Sequence, residues 1–373
     1  MIWKTLFLGI IIIVISCGSQ FENINKLSEN HINIFKDSLA IEKNDKIRYN
    51  NFTCYTVNYN INLDSTLSLI YMYNNTHSVE VNLSQMTINK LEFTENPVQS
   101  SFLSIFKLNE KIAVLNDNSE LFLFDHFSQN MKVTMLDTLH FYKDKNVWLT
   151  SDMGLGRRLP SYDESSVIIV ISDDNPITKK NRYTFAKLNL LTNETTFYQF
   201  PRRKEMYKNY HHLRNDIKTE VVGDTLFVHY QFSEKIDLFS LKTGKYLKKI
   251  ELKSKYQNKP IPHLKTSKND FENERYHIEA DYYDMLTYNP YKKCYYRLYL
   301  HSLPRMNEKG EYTVFNDKVA SIAIFDSNFN WIGEEVVPRR HFSSGIIPHP
   351  KGALGYWGWY SGENYYLNLI RHD

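Results

Sequence analysis

Apolar and polar positions alternate along most of this chain, in strand-length runs broken by short polar turns. That period-two pattern marks half-buried β-strands. A unit recurs in which an apolar residue, then Asn, Asp or Ser, closes one strand and a small polar turn opens the next. It appears at Val81-Asn82-Leu83, Phe124-Asp125, Leu188-Asn189-Leu190, Phe239-Ser240-Leu241, Phe325-Asp326 and Leu367-Asn368-Leu369. Turn residues follow the first five, among them Thr192-Asn193, Thr243-Gly244 and Ser327-Asn328. Small polar side chains bond their own backbone or accept a positive φ, so these are hairpin signals.

A strongly apolar strand is expected before each instance, as at Leu67–Tyr73, Lys111–Leu115, Val167–Ile171, Thr225–Tyr230, Cys294–Leu300 and Ala353–Trp359. A further strand is expected after the first five, as at Thr87–Phe93, Lys132–Leu136, Thr195–Phe200, Tyr246–Leu252 and Trp331–Val337. Weaker strands lead in at Thr53–Tyr59, Ser101–Phe106, Ile217–Val222 and Ser343–Ile347. One open sheet of ~24 twisted strands would not hold. Radial packing of four-stranded sheets resolves twist and edges together. The expected fold is all-β: a six-bladed β-propeller of four-stranded antiparallel blades. The sixth unit runs out of chain at Asp373, after its third strand. The alternating segment Ser38-Leu39-Ala40-Ile41-Glu42 is expected to close that last blade.

Ahead of this body, Lys4 and the apolar run Leu6–Ile15 lead to Val14-Ile15-Ser16-Cys17. The run is shorter than the ~20 residues a bilayer-spanning helix needs. With a small residue before Cys17 it reads as a lipoprotein leader. The domains expected are 1–16 signal peptide, 17–30 lipidated Cys17 and polar tether, and 31–373 propeller. The expected location is the bacterial cell envelope, on the membrane through the N-terminal lipid. Gly18 and Ser19 bring no acidic run after Cys17, which points to the outer membrane facing the periplasm.

Composition changes this picture little. Hydrophobic residues at 42% and charged at 23% fit a globular chain, and abundant Tyr (27) and Phe (22) favour strands. A formal charge of +3 supplies no global field for nucleic acid. Beyond Cys17, Cys54 and Cys294 read as two separate thiols in strands, with a disulfide as the alternative. No CxxC, GxSxG, HExxH or P-loop is present.

The leader, the strand–Asn/Asp–turn–strand units and the ending Ala353-Leu354-Gly355-Tyr356-Trp357-Gly358-Trp359 together resemble the uncharacterised TolB-like six-bladed propeller lipoproteins of bacteria. The resemblance covers about residues 31–373 and rests on structural motifs. It implies a fold and an envelope location, and it carries over no catalytic residues.

Antiparallel topology sorts the loops. First-to-second and third-to-fourth turns are short, as at Gly223-Asp224 and Thr243-Gly244. Second-to-third loops and connections between units are long, as at Asp173–Asn181, His301–Phe315, His140–Arg158, Pro201–Asp216 and Lys253–Asp284. Long loops gathered on one face mark a working surface. Arg157-Arg158, Arg202-Arg203 and Arg339-Arg340 map there, with His212 and His341 close by and Tyr283 ahead of a lining strand. Guanidinium groups suit capture of carboxylate, sulfate or phosphate. The plain alternative is solvated loop arginine paired with local carboxylates. His211-His212 with His263 lacks a carboxylate at ligand spacing and reads as surface histidine. Asp326-Ser327-Asn328-Phe329-Asn330 starts like a calcium loop but lacks its Gly and its Glu, and reads as a hairpin turn. Trp357, Trp359 and Tyr360 offer ring stacking or inter-blade packing. No cofactor or metal is expected. The expected function is non-catalytic binding of an envelope protein, peptide or anionic glycan at the long-loop face. The alternative is a carbohydrate lyase or hydrolase with its site at the channel mouth.

Overall fold

The computed structural model describes residues 38–42, 57–61, 66–71, 77–82, 87–92, 102–108, 111–116, 120–125, 131–135, 147–149, 163, 165–173, 182–192, 194–201, 217–231, 233–258, 270–337, 346–357 and 364–371. The described strands form six four-stranded sheets with antiparallel neighbours throughout. Sheet one holds β2 (Val57–Ile61), β3 (Thr66–Tyr71), β4 (His77–Asn82) and β5 (Thr87–Glu92). Sheet two holds β6 (Phe102–Leu108), β7 (Lys111–Asn116), β8 (Glu120–Asp125) and β9 (Met131–Met135). Sheet three holds β10 (Val147–Leu149), β11 (Ser166–Asp173), β12 (Arg182–Asn189) and β13 (Thr195–Pro201). Sheet four holds β14 (Ile217–Val222), β15 (Thr225–Tyr230), β16 (Ser233–Ser240) and β17 (Lys245–Glu251). Sheet five holds β18 (Tyr282–Asn289), β19 (Cys294–Leu300), β20 (Ala320–Asp326) and β21 (Trp331–Val337). Sheet six holds β22 (Ile346–His349), β23 (Gly352–Trp357) and β24 (Asn364–Arg371), with β1 (Ser38–Glu42) on its edge. There Leu39 lies opposite Leu367 and Ile41 opposite Tyr365.

The Asn/Asp/Ser positions read from the sequence do the expected work at the turns. Asn189 Oδ1 accepts the N–H groups of Leu191 and Thr192 at 2.9 and 3.0 Å. Asp326 Oδ1 accepts those of Asn328 and Asn330, each at 2.8 Å. Ser240 Oγ accepts Thr243 N–H at 3.1 Å. Gly244, at φ 66, then donates to Ser240 O at 2.8 Å. Each side chain replaces a missing backbone partner at the tip, which makes the turn self-supporting. The calcium-like segment is therefore a hairpin turn.

Burial falls toward the outermost strands of sheets four and five. Every residue of β19 is buried, whereas β17 is almost wholly exposed. A strand covered on both faces reads as a continuous apolar run, and Cys-Tyr-Tyr-Arg-Leu-Tyr-Leu fits apart from Arg297. Aromatic rings fill the spaces between sheets. Phe200 of sheet three stacks on Phe239 of sheet four at 4.1 Å, and Phe227 of sheet four meets Tyr295 of sheet five at 5.3 Å. Each such ring, fully buried, contributes roughly 1.5–3 kcal/mol. Cys294 is a buried free thiol in this packing, its pKa raised by burial; Cys54 lies outside the described residues. Two expectations need amendment. The region read as the connection His140–Arg158 contains the short strand β10, and Lys253–Asp284 contains a helix, α1 (Asp270–Glu279), as well as the start of β18.

Candidate functional site

Sheets four and five share one direction. Lys218, second in β14, forms an ion pair with Asp284, third in β18, and both are nearly buried. The strand starts therefore meet at one end, and the short turns emerge at the other. A bulge in β18 aids this. Its register slips by one residue between Tyr283 and Leu286. Tyr283 and Leu286 both pack toward sheet four, and the extra residue leaves Asp284 facing Lys218.

The long connections between and within these sheets lie together at the strand-start end. Segment 252–258 leaves β17, α1 follows at 270–279, and loop 301–319 joins β19 to β20. Arg275 of α1, itself buried, binds the helix to that loop. Its guanidinium donates to Thr313 O at 2.5 Å, to Arg305 O at 2.9 Å and to Thr313 Oγ1 at 3.1 Å, and Nε donates to Glu279 at 2.8 Å. From the loop, Lys318 Nζ donates to Ile278 O and Ala280 O, each at 2.8 Å. Those carbonyls lie at the C-terminal end of α1, which lacks intrahelical donors and carries partial negative charge. Burial lowers the Lys318 pKa to about 7, with nearby Asp281 opposing the shift.

This braced unit presents large apolar side chains outward, beside the exposed charges of Glu272, Arg305, Glu308, Lys309 and Glu311. Phe271, Met306, Tyr312, Val314 and Phe315 are all exposed, Tyr312 to 52%. Phe271 and Tyr312 meet edge to face at 5.7 Å. The Arg305 guanidinium stands 5.8 Å from the Phe271 ring, and Arg275 stands 5.5 Å from that of Tyr312. Arg305 also pairs with Glu272 at 3.1 Å. The exposed rings are thus lined by one surface guanidinium, Arg305, and backed by a buried one, Arg275.

Beneath the patch lies a buried polar layer that ties sheet five to sheet four. Arg297 is 0% exposed. It donates to Glu234 O, Leu252 O and Ser233 O, each at 2.6 Å, and its guanidinium lies 3.7 Å from the Tyr283 ring centre. Tyr283 OH donates to Gln257 Oε1 at 2.5 Å and accepts Ser254 N–H at 2.9 Å. Glu334 accepts Ser254 Oγ–H, Lys255 N–H and the Ser321 hydroxyl. Burial, then the charges of Arg297 and Lys218, hold the His229 pKa well below its ordinary value, so this ring is neutral. Burial likewise pushes His301 down to about 4, against the pull of Asp281. His301 Nε2 has no hydrogen-bond partner among the described residues.

Tyr283, expected at the channel mouth, is thus 0% exposed, with its hydroxyl engaged between sheets. Arg157, Arg158, Arg202, Arg203, His212, Arg339, Arg340, His341 and Cys17 lie outside the described residues. Among the described residues, no group of three or more His, Cys, Asp and Glu is placed to hold a metal ion. Sequence reasoning missed the patch because α1 was taken for loop. Its signals were present. Asp270 opens it, Arg275 and Glu279 stand four apart, and His277 lies in its last turn.

A family model described as "Domain of unknown function (DUF4221)" matches residues 96–336. No curated protein matches the chain. The crystal structure of a DUF4221 family member from Bacteroides vulgatus ATCC 8482 aligns over 90% of this chain and 96% of that one, with TM-score 0.60 and 14% identity. At that identity the likeness speaks for the fold. The crystal structure of BamB from Moraxella catarrhalis aligns over 86% of this chain and 87% of that one, with 11% identity. Its TM-score of 0.38 is too low to carry an argument.

Proposed function

Because the chain belongs to the DUF4221 family of bacterial proteins, whose description assigns no activity, we propose from the site itself that this is a partner-binding β-propeller that engages a protein or peptide through the α1/301–319 patch. The six four-stranded sheets are read as blades of a ring. Support comes from innermost strands lying side by side, β2 by β6, β14 by β18 and β18 by β22. The β1–β24 pairing supports closure of the last blade by the N-terminal strand. Lipidation at Cys17 would hold the body at the cell envelope, on the periplasmic side of the outer membrane, with 17–30 as tether.

One observation carries the binding reading: five exposed apolar side chains sit on a helix and loop braced by buried Arg275 and Lys318. A loop without function has no need of such bracing, and exposed apolar clusters mark interaction sites. Aromatic and Arg residues are the usual energetic centres of protein interfaces. An anionic glycan would instead need the Arg157-Arg158, Arg202-Arg203 and Arg339-Arg340 pairs. No observation among the described residues favours a carbohydrate lyase or hydrolase. The test is site-specific photo-crosslinking in cells, with the cross-linker at Tyr312 or, on the short-turn side, at Leu191. A discrete adduct from position 312, weakened at least tenfold by Phe271→Ser, is expected. Equal adducts from both positions would refute the reading.

A further inference from the structure

The end of sheets four and five opposite the patch has a different chemistry. At this end β17 and β21 begin, and both are outermost strands. Tyr246 and Leu247 open β17, and Trp331 and Ile332 open β21; all four are about half exposed, Leu247 to 50% and Trp331 to 48%. Residues 242–249 read Lys-Thr-Gly-Lys-Tyr-Leu-Lys-Lys, four lysines without a carboxylate. The adjoining β18–β19 turn adds Lys292 and Lys293. The two sheets join here into one surface, since Lys248 Nζ stands 5.0 Å from the ring of Phe329 in the β20–β21 turn. The acids of the neighbouring described turns are Glu194, Asp224 and Asp326; Glu194 accepts the Thr192 hydroxyl and Asp326 is spent on its own turn.

We infer that this corner is a membrane-contact surface that rests on a bilayer bearing anionic phospholipid. Half-exposed Trp, Tyr, Leu and Ile set among lysines are the composition of interfacial surfaces. Aromatic rings settle at headgroup depth, and lysine stems lie along apolar surface while their ammonium groups reach phosphate. Each basic residue near an anionic surface adds roughly fivefold to partitioning. Charge complementarity selects this occupant, because an extended peptide pairing with the β17 edge would not use the lysines of the β18–β19 turn. A polar tether fixes how far the body can stray and leaves its orientation open. Contact at this corner sets that orientation and turns the α1/301–319 patch away from the bilayer. The inference rests on the envelope reading only for bringing a bilayer within reach.

Hydrogen exchange of the mature full-length protein on vesicles tests it. One set of vesicles is phosphatidylcholine, and the other contains one part phosphatidylglycerol to two parts phosphatidylcholine. Exchange in 242–249 and 327–333 is expected to slow at least tenfold on the phosphatidylglycerol vesicles alone. High salt should cancel the effect. So should the quadruple change of Lys242, Lys245, Lys248 and Lys249 to Gln, which leaves the exposed strand able to form. Unchanged exchange at both segments, or slowing at 301–319 instead, overturns the inference. Equal slowing on both lipids would mean a contact without anionic lipid and overturns it too. Flotation with pure phosphatidylcholine vesicles reports the lipid anchor separately. Its absence, beside slowed exchange on phosphatidylglycerol, would sink the anchor and leave this surface standing.

Discussion

Replacing Arg297 with Met tests the tie between sheets four and five. The guanidinium serves three carbonyl oxygens at 2.6 Å and covers the Tyr283 ring. Methionine fills much of the volume but donates nothing. Glu234 O keeps the N–H of Leu252 at 2.9 Å, so Leu252 O bears most of the loss. A buried acceptor stripped of its donor costs about 1–3 kcal/mol. The desolvated cation–π contact adds about 1–2 kcal/mol. Relief from holding a buried charge returns part of this. The net is about 2–4 kcal/mol, a large share of the roughly 5–15 kcal/mol that holds a domain together. Guanidinium chloride unfolding of the full chain should report that loss. Native-state hydrogen exchange in 252–258 should quicken by at least about tenfold, the equivalent of ~1.4 kcal/mol. Arg297→Lys should fall between, since one ammonium cannot span three acceptors. A loss under about 1 kcal/mol with unchanged exchange would show that aromatic packing alone joins the sheets. The same change removes one of the two cations that help keep His229 neutral, so its pKa should rise.

Other expectations follow from neighbouring groups. The His301 pKa of about 4 in the fold lies below its ordinary value, so the unfolded chain binds the proton first as pH falls. Stability should be full above pH ~6.5 and be lost by about 3 kcal/mol on the way to pH ~4; His301→Asn should flatten that acid limb, and an unchanged slope in denaturant midpoints against pH would refute it. Lys318→Met removes the ammonium that Ile278 O and Ala280 O share, leaving Ile278 O only the Leu303 N–H at 3.2 Å, and exchange in 276–280 should rise severalfold while sheet-four amides hold steady. Asn289 is wholly buried, donates to His349 O and Gly352 O of sheet six, and accepts two amides of its own turn. Asn289→Ala should therefore cost about 2–4 kcal/mol in denaturant unfolding. A loss near the ~1 kcal/mol of an ordinary turn residue would deny the inter-sheet role.

Strand pattern was the legible part of this protein. Ile217–Val222, Thr225–Tyr230, Cys294–Leu300 and Trp331–Val337 stand where alternation and turn chemistry put them. The Asn189, Ser240 and Asp326 turns work through bonds to residues two to four positions away. Such bonds are local, so the sequence contains both partners side by side. The same locality separates the short turns from the long connections, and so puts the α1 and 301–319 segments at one end. Tertiary structure alone decided what those segments became. Arg275 finds Thr313 and Arg305 thirty or more positions away, Lys318 reaches back to α1, and Arg297 enters a run that reads as pure core to reach carbonyls of another sheet. These partners are backbone oxygens, which every residue carries and no side-chain pattern advertises. For that reason Tyr283 read as a mouth residue when its neighbours hold it between sheets, and the exposed Phe271–Tyr312 patch emerged only once the chain was folded.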